Sequence, residues 1–271
     1  MTVSQWGRVL VDEIERAEVP SGELWIWPLG GPSLCVRSSE ATVYIDPYTG
    51  SPNSGPWLRL VAVPFDPADL RHADAVFSTH DHDDHCHEAT LRPVIDNTTA
   101  TLIGPASSAR KMLGFGFPKD RIVSAEDGDT WTFGDMTVRA AEILDHSDPT
   151  SLGYVITVPN GPVFCDAGDS MYGAHFAKIG VSVRESEGRS IDAAALSIAD
   201  LAAGRKIYMS STDLIQAARD LGVRILIPKH WDLWRNVRLD PWEVVVEAQR
   251  HNAPFRVHIP RLGEVIKIEA K

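Results

Sequence analysis

The run His80-Asp81-His82-Asp83-Asp84-His85 sets the strongest constraint on what this chain can become. Three imidazoles and three carboxylates in six residues need partners wherever they leave water. Directly before them stands Ala75-Val76-Phe77, a short apolar run closed by Ser78-Thr79. It predicts a buried strand with the polar run at its C-terminal end. Rigid scaffolds present functional groups at such strand ends. The plainer reading is a solvated, His-rich loop that binds metal adventitiously.

The spacing is H-x-H-x-D-H. In an extended segment His80 and His82 point the same way. Asp84 and His85 are adjacent, and a turn aims them at a second point nearby. Imidazole and carboxylate together suit zinc, manganese or iron. One pair for each of two metals follows, and more ligands must come from elsewhere. His146 follows the strand-like Met136-Thr137-Val138-Arg139-Ala140, and His230 ends the apolar run Ile225-Leu226-Ile227-Pro228-Lys229. Asp169 follows Pro162-Val163-Phe164-Cys165-Asp166-Ala167-Gly168, a strand and then a glycine turn. Asp166 is its rival, and Gly168 favours Asp169 because glycine permits the tight turn. His175 falls in a helix predicted over Tyr172 to Lys178 and reads as a surface or packing residue.

These residues resemble the metallo-β-lactamase superfamily. His80, His82, Asp84 and His85 match its H-x-H-x-D-H motif, and His146, Asp169 and His230 fall in the order of its later ligands. Asp46, in Val43-Tyr44-Ile45-Asp46-Pro47, matches its early strand-ending aspartate. A closer resemblance is to the L-ascorbate-6-phosphate lactonase group. Gly168-Asp169-Ser170-Met171-Tyr172, Phe176-Ala177-Lys178 and Ile227-Pro228-Lys229-His230-Trp231-Asp232-Leu233-Trp234 carry it, together with the metal motif. It covers most of the chain, which is shorter than the lactonases after His146 and at the C-terminus. The resemblance implies an α/β fold, an αββα sandwich of the metallo-β-lactamase type, as one domain over residues 1–271. It also implies a homo-oligomer.

On this reading His80, His82 and His146 hold one metal, and Asp84, His85 and His230 hold the second, with Asp169 bridging. Asp46 supports the site from behind the ligands. Two divalent ions are expected, zinc first and manganese as the alternative. Incomplete protein ligation leaves room for a shared water, which two cations convert to hydroxide near neutral pH. The expected function is a hydrolase whose metal-bound hydroxide attacks a small, optionally phosphorylated, lactone or ester. Asp84 is the catalytic candidate, orienting the hydroxide or carrying its proton. Arg205, Lys206 and Lys229 are the cations to test for a substrate phosphate. Trp231 and Trp234 read as core residues that could line a pocket.

Alternatives are a phosphodiesterase or nuclease of the same fold, and a non-hydrolytic metal-binding protein. A formal charge of −11 and the lack of a basic stripe argue against long nucleic acids. Hydrophobic content of 44% over 271 residues suits a soluble chain with a substantial core. No apolar run is long enough for a bilayer, so no membrane partner is expected. Cys35, Cys86 and Cys165 form no disulfide framework, and Met1 to Arg16 does not read as a signal peptide. Both point to the cytoplasm, and the lactonase resemblance implies a small-molecule substrate. Helices are predicted over 5–17, 106–113, 211–221 and 241–250. Short strands are predicted over 24–27, 34–36 and 42–45, and a Gly/Ser/Pro-rich loop over 49–56 that could overhang the site.

Overall fold

Apolar runs with hydrophobic residues on both faces predict strands covered on both sides, and the central strands of each sheet are built that way. The computed structural model describes residues 7–52, 57–199, 207–237 and 239–270. The first half runs α1 (Val9–Arg16), β1 (Glu23–Pro28), β2 (Leu34–Arg37), β3 (Thr42–Ile45), β4 (Ala75–Phe77), α2 (Glu88–Asn97), β5 (Thr101–Pro105), α3 (Ala106–Gly114) and β6 (Ile122–Ala125). The second runs β7 (Thr130–Phe133), β8 (Met136–Glu142), β9 (Leu152–Thr157), β10 (Val163–Asp166), α4 (His175–Glu187), β11 (Ala193–Ser197), α5 (Ser211–Leu221), β12 (Ile225–Lys229), α6 (Trp242–Arg250), β13 (Arg256–Val257) and β14 (Ile266–Glu269). They form two seven-stranded sheets, ordered β14-β1-β2-β3-β4-β5-β6 and β13-β12-β11-β10-β9-β8-β7.

Strand alternation sorts the core into three layers. Ala75 and Phe77 of β4 face the space between the sheets with Ile45, Tyr154, Phe164 and Ile227. Val76, between them in sequence, packs outward with Leu10, Ile14, Leu91 and Met112 of α1 to α3. On the far side Cys165 and Leu226 meet Phe176, Leu214, Leu221 and Val244 of α4 to α6. Helices thus cover both outer faces, and the layers read α-β-β-α.

Two helices differ from the sequence expectation. The helix predicted over Tyr172 to Lys178 occupies His175–Glu187, because the chain must first leave the turn at Asp169. Helix α2 carries no clear sequence signal because Pro93 interrupts its pattern. Strands β3 and β4 pair in parallel, as do β10, β11 and β12, so each sheet ends a parallel set near one edge of the sandwich. Tyr154 of β9 donates its hydroxyl to the Ser78 carbonyl at 2.7 Å, and Leu152 N donates to Thr79 O at 2.9 Å. These bonds tie the second sheet to the segment that carries the His/Asp run.

Candidate metal centre

The segments that follow β3, β4, β8, β10 and β12 converge at this edge. Asp46 and His230 both take left-handed backbone, with φ of 46° and 68°. A non-glycine residue avoids that region unless the surroundings enforce it. Here Asp46 N donates to Phe77 O at 2.8 Å and His230 N to Gly31 O at 3.1 Å. Gly168, with φ 50°, turns the chain from β10 to Asp169, and a Cβ there would stand 2.9 Å from Thr79 Cβ. Gly168→Ala is therefore expected to lower stability by about 1–2 kcal/mol from the backbone alone, read as a fall in the denaturant midpoint. An unchanged midpoint would show that the turn tolerates a side chain.

Asp169 is the hub. Its Oδ2 lies 3.0 Å from His85 Nε2, 3.4 Å from His230 Nε2 and 4.0 Å from His80 Nε2. All four side chains are buried. Two groups of donor atoms lie within 4.8 Å of one another, His80 with His82 and Asp169, and Asp84 with His85 and His230. His230 Nε2 is 3.2 Å from Asp84 Oδ2.

The partners behind the ligands fix which nitrogens face inward. His85 Nδ1 meets Asp46 Oδ2 at 2.7 Å. A carboxylate only accepts, so Nδ1 carries the proton and Nε2 presents a lone pair to the cluster. Thr79 Oγ1 donates to Asp46 Oδ2 at 2.7 Å and stands 3.1 Å from His80 Nδ1. With its proton on Asp46, that hydroxyl accepts from His80, whose Nε2 is left facing Asp169. Ser147 Oγ donates to Asp145 Oδ1 at 2.7 Å and meets His82 Nε2 at 2.9 Å. His82 therefore offers Nδ1.

This donor set fits a divalent cation. The Nε2 atoms of His80, His85 and His230 and both oxygens of Asp169 are buried without a hydrogen-bond partner. Buried polar atoms are normally paired, and these converge on shared space. The electrostatics agree. Burial disfavours charge on His230, yet the Asp169 and Asp84 carboxylates raise it to about 9. His85 is raised likewise against burial, by Asp169, Asp46 and Asp84. Burial and then His85 push His80 down to about 3. Burial opposes charge on Asp169, but His230 and His85 hold it well below the usual carboxylate range. The carboxylates thus draw positive charge into the cluster, first as protons. Tyr208 stands over it, its ring 5.8 Å from that of His230 and 6.4 Å from that of His146. Burial, then Asp169 and Asp84, keep its phenol neutral.

Four expectations need correction or placement. His146 does not join either group. Its side chain is 41% exposed and its ring lies 6.3 Å from that of His82, so it stands on the rim, while Asp169 lies beside His80 and His82. Lys229 is not a cation free for substrate. It is 3% exposed and donates to both oxygens of Asp166 at 2.8 and 2.6 Å, because a buried ammonium needs a counter-charge. Arg205 and Lys206 lie outside the described residues. Trp234 is both buried and polar in use, its indole donating to Asp84 Oδ2 at 2.8 Å. Sequence reasoning assigned no role to Thr79, Ser147 or Tyr208. Thr79 and Ser147 each adjoin a named histidine, whereas no motif surrounds Tyr208.

The family model described as a beta-lactamase superfamily domain matches residues 41–231. The chain belongs to that superfamily. A Salmonella gallinarum protein named "Probable L-ascorbate-6-phosphate lactonase" is 28% identical over 289 residues, covering 90% of this chain and 80% of its own. Among solved structures, an isothiocyanate hydrolase from Delia radicum gut bacteria superposes with a TM-score of 0.72 at 19% identity, over 91% of this chain and all of the other. A metallo hydrolase from Ignicoccus hospitalis gives 0.70 at 20% identity, over 92% and all of the other. At such identities the two structures establish the fold. This superfamily member therefore has the αββα sandwich of metallo-hydrolases, and its two His/Asp groups could hold metal. No helix among the described residues is long and apolar enough to cross a membrane.

Proposed function

We propose that this superfamily member is a two-metal hydrolase of a small lactone or ester. The observation that carries the proposal is the set of unpaired, buried nitrogens and oxygens gathered around Asp169. His80, His82 and Asp169 would hold one cation. Asp84, His85 and His230 would hold the second, with Asp169 shared. Four imidazoles against two carboxylates favour zinc over manganese, because manganese prefers oxygen. Divalent cations, when bound, acidify water and polarise a carbonyl oxygen.

The protein's own groups then do the following. Asp46 and Thr79 keep His85 and His80 in the tautomers that face the cluster. Asp84 Oδ2 is engaged by Trp234, which leaves Oδ1 to take the proton of the attacking water. Tyr208 stays a neutral O–H donor beside the reacting carbonyl.

The lactone reading is supported by 28% identity to the lactonase over 90% of the chain. Lys229 is committed to Asp166, so Arg205 and Lys206 are the cations left to test for a substrate phosphate. The three cysteines are free and buried, in keeping with a cytoplasmic location. A panel of lactones, simple esters, phosphodiesters and thioesters tests the reading. Lactone or ester turnover supports it, and turnover of phosphodiesters alone would overturn it. Within that assay His146→Ala should cost much less than His82→Ala, because only His82 lies in a ligand group. Equal losses would return His146 to the ligand set.

A further inference from the structure

We infer that Trp234 is a positioning residue for Asp84, and so sets how tightly the cation at Asp84, His85 and His230 is held. This rests on the two-metal reading above. Indole carries one polar atom, Nε1, and it can only donate. In Trp234 that atom lies 2.8 Å from Asp84 Oδ2, and the side chain is 7% exposed. The same Oδ2 is 3.2 Å from His230 Nε2, whereas Oδ1 lies 3.8 Å from His85 Nε2. The indole therefore fixes the rotation of the carboxylate and decides which oxygen is left for proton transfer. Having no lone pair to offer, it does not compete with Asp84 for a cation.

The ring is itself held in place. Tyr48 and Trp57 flank it, with ring centroids 5.7 and 5.8 Å away. The backbone is stitched on both sides, Leu60 N donating to Leu233 O at 2.8 Å and Arg235 N to Leu58 O at 2.9 Å. Arg59 anchors the same segment through the carbonyls of Tyr48, Gly50 and Val61. A residue placed only to fill space needs none of the alignment of Nε1. Groups that orient a ligand's far side typically change metal affinity by roughly 10- to 100-fold when removed.

Trp234→Phe keeps an aromatic ring but removes the N–H, together with part of the indole's volume. Zinc is titrated into metal-free protein against a chromophoric chelator, with wild type, Trp234→Phe and Asp84→Asn compared. The zinc site that Asp84→Asn abolishes should loosen roughly 10- to 100-fold in Trp234→Phe, the other site staying unchanged. A purely structural role would leave both affinities alone and lower only the melting temperature of the metal-free protein. If Trp234→Phe binds like wild type while Asp84→Asn loses one zinc, the inference fails and the two-metal reading stands. If Asp84→Asn also binds like wild type, the two-metal reading fails and takes the inference with it. Should Trp234→Phe not fold, the indole N–H resonance of Trp234 in the wild type gives the answer. It should move as zinc fills the site that Asp84→Asn abolishes, and a resonance that stays still contradicts the inference.

Discussion

Asp169→Asn should lower hydrolysis by about 10³-fold, the scale of losing one charge-stabilising partner in a dry site. No other substitution separates the metal reading from a merely packed polar cluster so well. The asparagine preserves shape, so the fold is retained. It removes the one charge that lies within 3.0 to 4.0 Å of all three of His85, His230 and His80 and turns an amide toward their lone pairs. The metal-free protein gives a second readout. Against burial, Asp169 and then Asp84 raise His230 to about 9 from an ordinary 6.5. A raised folded value means that the proton stabilises the fold fully below 6.5, and that this contribution disappears as pH climbs through 9. Metal-free wild type should therefore lose stability across that window, and Asp169→Asn should lose less. Parallel stability profiles would show that Asp169 does not govern the cluster's charge.

Lys229→Met should lower stability by about 3–5 kcal/mol, because it leaves a buried carboxylate without its counter-charge. For a chain of this size that is roughly a 10 °C fall in melting temperature. Asp166 is fully buried at the end of β10, and Lys229 at the end of β12 reaches it across β11. Asp166 Oδ1 also accepts from Gly168 N at 2.9 Å, so the pair holds the turn into Asp169 as well as the approach to His230. Burial raises the Asp166 carboxyl, with Lys229 opposing. Without Lys229 the rise is larger, and the folded state binds the proton more readily than the unfolded. Stability then falls as pH rises, so the deficit should shrink on acidification. The double variant Asp166→Leu/Lys229→Met should regain most of the loss, since neither charge remains to be paired. If Lys229 met a substrate phosphate instead, Lys229→Met would raise KM for phosphorylated substrates and leave the melting temperature in place.

The ligand run and its strand were legible because periodicity and ligand spacing reinforce each other. Ala75 to Phe77 is apolar on both faces, and His80 to His85 follows at once. The sandwich was legible only through family resemblance, since short apolar strands suit several α/β folds. Lys229 was misread for a physical reason. Sequence shows a lysine beside a histidine, but not that β10 and β12 flank β11 in parallel, which brings Asp166 and Lys229 together across it. His146 stands on the rim rather than in a donor group, since order along the chain does not fix which way an imidazole turns after a strand. Trp234 was read as core, and its burial agrees, yet its function depends on the direction of one N–H. Hydrogen-bond directions of that kind have no sequence period and need coordinates.

The central claim is that Asp169 joins two cation sites in one reaction centre. Elemental analysis of protein purified without added metal, followed by chelation and reconstitution, tests it most directly. Close to two zinc or manganese ions per chain are expected, with lactone or ester turnover abolished on chelation and restored as the second equivalent returns. Protein free of metal, with turnover and melting behaviour untouched by His80→Ala, would contradict it.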